Sequence, residues 1–239
     1  MSANKSCKPP KLCKDVIEMF SKQGDLVFDP FAGTGGVAFG AQMAGRRYMG
    51  CELESKQVNA YGNACDEMSD FSTSYDPTLI RNVDFFKEYG SQDAPNIEPF
   101  VDMMFTDPPY FDMDRRQKSS RYWKGKGSVA RPMEAYGQCQ FKSIEDWKLF
   151  IANWGTAARK MMKPNKYLVY FMEDMFIKGK YLFLTHISAE VLESVGFIPQ
   201  GELIWYNEGR RPGFFGFPSK MITNRTHTSI IFMLNPEGE

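Results

Sequence analysis

Asp29-Pro-Phe-Ala-Gly-Thr-Gly-Gly36 is the stretch from which the fold can be read. It follows a short, continuously apolar run, Leu26-Val27-Phe28, and precedes Val37 to Ala44, a helix-like segment that Gly45 stops. A buried parallel strand reads as an uninterrupted apolar run because both of its faces are covered. Glycine at a strand-to-helix turn lets the backbone bend tightly and approach a ligand with no Cβ in the way. The combination predicts a nucleotide-type cradle, although a merely structural turn has the same composition. The spacing is not GxGxxG, which argues against a dinucleotide, and the lack of GK[ST] excludes a phosphate-gripping P-loop. Glu52, about 20 residues on and at the end of the next strand, is placed to accept hydrogen bonds from ribose hydroxyls.

Working outward, Leu12 to Lys22 reads as a helix with Leu12, Val16, Ile17 and Phe20 on one face, started by Pro9-Pro10 and ended by Gly24. Arg46 to Glu52 leads into a second strand, and Ser55 to Met68 is helical. Leu79-Ile80 and Val83 sketch a weak third strand, and Val101 to Phe105 a stronger fourth. Beyond it, 111–142 lacks periodicity and is rich in Arg, Lys, Gly and Ser. Order resumes at Ser143, which with Asp146 three residues on resembles a capping box, followed by an apolar stripe of Ile144, Trp147, Phe150, Ile151, Trp154 and Ala158. Tyr167–Phe171, Glu202–Tyr206 and Thr228–Leu234 supply three more strands, with a helix over Lys180–Val195 between the first two. Alternating strands and helices at this spacing predict right-handed βαβ units. The expectation is a single α/β domain over 1–239, built on a seven-stranded, mostly parallel sheet with helices on both faces, into which 111–142 is inserted.

Composition narrows the class. At 43% hydrophobic and 24% charged residues the chain can bury a core, and its net charge of zero offers no global argument for a polyanionic partner. The first ten residues lack an apolar h-region and no run reaches transmembrane length, so a soluble intracellular protein with no membrane partner is expected. Five cysteines without a CxxC pair, and His186 and His227 far apart, argue for free, mostly buried thiols and against a metal site. Both histidines read as structural.

A second motif, Asp107-Pro-Pro-Tyr110, closes the fourth strand. Together, Lys8-Pro9-x-x-Leu12-x-x-x-Val16-Ile17, the glycine turn and Asp107 to Tyr110 resemble the S-adenosylmethionine-dependent DNA amino-methyltransferases that modify adenine N6 or cytosine N4. The resemblance spans 8–110 and implies a Rossmann-like class I methyltransferase fold. It also implies cofactor contacts from Lys8, Asp29, Pro30, Phe31, Ala32, Gly33, Thr34, Gly35, Glu52, Asp84, Phe85 and Asp107, with Glu52 at the ribose and Asp84-Phe85 at the adenine. Asp107, Pro108, Pro109 and Tyr110 become the catalytic turn. The wording of 8–36 is that of a subgroup in which the cofactor motif normally follows the catalytic one, so the chain looks circularly permuted, and it has no room for a large target-recognition domain.

The chemistry of the turn is intelligible without the family. An exocyclic base amine is a poor nucleophile because its lone pair is delocalised into the ring. The Asp107 carboxylate and Pro108 carbonyl, aimed at its N–H groups, favour the pyramidal nitrogen and sit where positive charge develops. Tyr110 offers a face on which an extruded base can stack, worth roughly 1–3 kcal/mol against the few kcal/mol that flipping costs.

Nucleic-acid contact is expected from the segment after the turn. Between Asp112 and Arg131 seven bases face two acids, and Tyr122 and Trp123 are interleaved with them. Arg115, Arg116, Lys118, Arg121, Lys124 and Arg131 suit phosphates, the two aromatics suit stacking or wedging, and Arg210 and Arg211 form a second candidate patch. Adenine N6 in DNA is the expected acceptor, since Asp rather than Ser at 107 leans that way. Cytosine N4, a base amine in RNA, or service as the cofactor-binding subunit of a complex are the alternatives, and a homodimer or a specificity partner is compatible with all of them. The resemblance places such a protein in the cytoplasm of a bacterium or archaeon, in a phage-encoded system, or in a eukaryotic nucleus.

Overall fold

The computed structural model describes residues 7–69, 74–90, 98–111, 141–177, 180–206, 214–215, 222–223 and 227–237. Seven strands form one sheet: β1 (Leu26–Asp29), β2 (Arg47–Cys51), β3 (Ile80–Arg81), β4 (Val101–Thr106), β5 (Met162–Met172), β8 (Ile198–Tyr206) and β11 (His227–Asn235), in the order β3-β2-β1-β4-β5-β11-β8. The first five are parallel and β11 runs antiparallel to both β5 and β8. All seven strands expected from the sequence are therefore in it.

Alternation of side chains across the sheet makes two cores from continuous apolar runs. In β5, Leu168, Tyr170 and Met172 enter one core, and Val169 and Phe171 the other. The second core is covered by α1 (Pro10–Phe20), α2 (Gly36–Met43) and α3 (Ser55–Met68), the first by α4 (Phe85–Tyr89), α5 (Ile144–Met161) and α6 (Leu184–Ser194). α1 opens with proline in its first turn, where the missing N–H costs nothing. The Ser143 capping box forms as read: the Asp146 N–H donates to Ser143 Oγ at 3.1 Å, and the Ser143 N–H to Asp146 Oδ2 at 3.0 Å. Among the described residues no helix is long and apolar enough to cross a membrane.

Three readings change. The helix expected from Lys180 begins at Leu184, because Lys180–Leu182 (β7) pairs antiparallel with Met175–Ile177 (β6) as a hairpin. β5 begins at Met162, immediately after α5, not at Tyr167. α4, five residues long, is too short to show a period in sequence. A further pair, β9 (Phe214–Phe215) and β10 (Ile222–Thr223), lies apart from the main sheet. Cys13, Cys51 and Cys65 are free and buried, as expected, while Cys7 is half-buried and Cys139 falls outside the described residues.

Candidate active site

β1 lies between β2 and β4, so the chain leaves β1 and β4 toward opposite sides of the sheet, and a crevice opens beyond their carboxyl ends. The register sets Phe28 beside Met104, and just beyond it the side chains of Asp29 and Thr106 meet. Thr106 Oγ1 donates to Asp29 Oδ1 at 2.5 Å and the Phe31 N–H donates to the same oxygen at 3.0 Å. Asp29 is buried, and burial pushes its carboxyl up to about 7 in spite of those two donors. Glu52, at the end of β2, accepts the Gly33 N–H on Oε2 and the Glu54 N–H on Oε1, both at 2.8 Å. One carboxylate thus ties the glycine turn to the neighbouring strand, and burial raises it too.

Gly35 caps α2 at φ +86°, and a Cβ there would lie 2.2 Å from the Tyr61 ring. It is not among the residues that line the cavity, and its position is dictated by α3 behind it. Tyr61 is itself fixed, donating to the Asp76 carbonyl at 2.7 Å and accepting from Gln42 Nε2 at 3.1 Å.

The second turn leaves β4 and is held at three points. Tyr110 Oη donates to Asp107 Oδ1 at 2.6 Å, and Lys8 Nζ lies 2.6 Å from Asp107 Oδ2. Trp147 Nε1, from the core stripe of α5, donates to the Pro109 carbonyl at 3.0 Å. Tyr110 is only 7% exposed, its hydroxyl is anchored on Asp107, and it lines the cavity.

Both turns open into one cavity of about 350 Å³. The family model described as "DNA methylase", for the N6/N4 methyltransferases, matches residues 2–63 and 101–237, which include both turns. The chain belongs to this family of S-adenosylmethionine-dependent amino-methyltransferases. A tRNA (guanine(10)-N2)-dimethyltransferase of Methanocaldococcus jannaschii is 30% identical over 107 residues, 44% of this chain and 29% of that protein. The orphan methyltransferase M.BamHII of Bacillus amyloliquefaciens is 44% identical over 48 residues, 20% of this chain and 18% of that protein. The matched stretches thus span less than a third of either relative. The crystal structure of TrmN from Thermus thermophilus superposes with a TM-score of 0.54 at 12% identity, covering 94% of this chain and 48% of that one, a likeness of fold.

The methylase cavity is lined by Lys8, Asp29, Pro30, Phe31, Ala32, Gly33, Thr34, Glu52, Asp84, Phe85 and all four residues of Asp107–Tyr110, so the structure brings together every expected cofactor and catalytic residue except Gly35. Its size is that of a small-molecule pocket, roughly 300–1,000 Å³. Four acids and an apolar wall fit a ligand with ribose hydroxyls, a positive charge and an adenine ring. Asp84 caps α4 by accepting the Phe86 N–H at 3.0 Å, which fixes its carboxylate at the rim. Sequence reading did not anticipate Leu53, Gln57, Phe86 or Phe150 as lining residues. Phe150 belonged to the recognised stripe of α5, and only packing shows that it also reaches the cavity. Arg115, Arg116, Lys118, Arg121, Tyr122, Trp123, Lys124, Arg131, Arg210 and Arg211 lie outside the described residues.

Proposed function

We propose that this chain transfers a methyl group from S-adenosylmethionine to the exocyclic amine of a flipped base in DNA, at adenine N6. The observation that carries the reading is the meeting of the two turns in one cavity, with the Asp107 carboxylate at its edge and the Pro109 carbonyl tied back by Trp147. With Pro109 so committed, we assign the two acceptors for the amine to Asp107 and the Pro108 carbonyl. The cofactor supplies an electrophilic methyl on a sulfonium. Asp29 and the glycine turn hold its charged end, Glu52 its ribose, and Asp84 with Phe85 its adenine. Asp107 orients the amine and withdraws the proton that leaves after alkylation, when the nitrogen has become acidic, so no strong base is required. Phe31, Phe86 and Phe150 exclude water from the apolar side.

Asp107→Ala is expected to abolish transfer while leaving cofactor affinity within a few fold. Titration calorimetry paired with a tritiated-methyl assay checks this, and retained turnover would sink the assignment of Asp107. Nucleoside mass spectrometry of DNA and RNA incubated with labelled cofactor names the acceptor. A base amine in RNA is the second reading, favoured by the identity shared with the tRNA (guanine(10)-N2)-dimethyltransferase. Label recovered in guanosine or adenosine of RNA alone would select it.

A further inference from the structure

Lys8 touches both halves of the site. Its backbone is wedged against the start of α2: a Cβ on Gly36 would lie 2.5 Å from the Lys8 carbonyl oxygen and 3.2 Å from its nitrogen. Its side chain lines the cavity and reaches the Asp107 turn. The ammonium lies 2.6 Å from Asp107 Oδ2, 4.9 Å from the centre of the Phe171 ring and 5.8 Å from that of Tyr110. The Lys8 side chain is 14% exposed and that of Asp107 30%, so the pair is shielded from most of the water that weakens surface ion pairs. Tyr110 holds the other oxygen, and the two contacts together leave the carboxylate no free rotation.

We propose that Lys8 is a positioning residue, a strut that fixes the distance and angle between the cofactor turn and the Asp107 turn, rather than only a ligand of the cofactor. The claim rests on the reading of Asp107 as the group that orients the acceptor amine. Its physical basis is that methyl transfer needs donor and acceptor in line. A misplacement of about 1 Å is enough to cost roughly 10²-fold in rate. Lys8 joins the Gly36 end of the first turn, at its backbone, to the carboxylate of the second, at its ammonium. The short ion pair makes that link stiff, because Lys8 is held at its backbone as well as at its tip.

The test uses Lys8→Met, which keeps the stem and removes the charge, and Lys8→Arg, which restores a cation at similar reach. Steady-state kinetics are run with labelled S-adenosylmethionine and unmethylated genomic DNA. Cofactor affinity is measured separately by calorimetry. The expected result is a fall in kcat of about 10²-fold for K8M, a cofactor Kd within about threefold of wild type, and partial recovery of kcat in K8R. A K8M enzyme with wild-type kcat, or one whose whole loss lies in cofactor affinity, overturns the proposal. Urea unfolding of K8M, Asp107→Asn and the double variant adds a readout that needs no acceptor. Non-additive midpoint shifts are expected from a coupled pair, and additive ones overturn the strut. If wild type transfers no methyl group to DNA, the proposed DNA acceptor fails, and the unfolding cycle still decides the case of Lys8.

Discussion

Asp29 concentrates the tension of this site in one side chain. A carboxylate at the end of a fully buried strand loses its hydration, and two hydrogen bonds recover only part of that loss. The folded-state carboxyl titrates at about 7, against roughly 3.9 in an unfolded chain. Between those values the folded protein holds a proton that the unfolded chain has released. Asp29's contribution to stability is therefore fully present below the lower value and lost as pH rises through the upper one. Asn at 29 keeps the shape and can still accept the Phe31 N–H and the Thr106 hydroxyl, but carries no charge to desolvate. D29N without cofactor is expected to gain stability relative to wild type as pH is raised from 5 to 8, by on the order of a few kcal/mol, read as a melting-temperature difference that widens across that range. Parallel melting curves across that range would refute the assignment. The sequence marked Asp29 as a cofactor residue, and under the proposed function a cationic cofactor beside it would offset the desolvation that its two hydrogen bonds leave.

At the scale of elements, α5 does two jobs that look like one in sequence. Trp147 and Trp154 are both fully buried on its inner stripe and were indistinguishable there. The structure separates them. The Trp147 indole N–H holds the Pro109 carbonyl, while that of Trp154 has no hydrogen-bond partner among the described residues. Trp147→Phe leaves a buried carbonyl unsatisfied, a cost of about 1–3 kcal/mol plus the lost packing. It also releases the catalytic turn. Trp154→Phe loses similar volume and removes only an unpaired donor. We expect W147F to be the less stable of the two and to lose kcat without losing cofactor affinity, with W154F nearer to wild type in both. Equal kcat losses would refute the holding role of Trp147. Helices and strands were legible because each carries its period within one segment: the apolar runs of β1, β4 and β5, the capping box of α5. The β6–β7 hairpin was not, since three-residue strands carry no period and the pairing is decided by neighbours. The bonds from Lys8 to Asp107 and from Trp147 to Pro109 were hidden for a related reason. They join residues far apart in the chain that only the sheet order brings together, and the one available signal was that a buried indole needs an acceptor.

The whole molecule is electrically neutral, and that makes its proposed nucleic-acid contact a local matter. A protein binding through global charge would show its affinity in every basic residue. Here the excess lies between Asp112 and Arg131, directly after the catalytic turn, with seven bases against two acids. Because the cofactor residues are set by the sheet and its two turns, changes in this segment are expected to alter nucleic-acid affinity without altering cofactor affinity. Each side chain seated on a duplex phosphate contributes about 0.9 to the slope of log K against log salt. Replacing Arg115, Arg116 and Lys118 together by Gln is therefore expected to flatten that slope by up to roughly 2.7 for duplex DNA. The same replacements at Lys11, Lys14 and Lys56, which lie on α1 and α3, are expected to leave it unchanged. Fluorescence anisotropy across a salt series measures both sets. A slope that responds equally to the two would mean that the molecule meets nucleic acid with its whole surface, and the segment after Tyr110 would lose its assigned role.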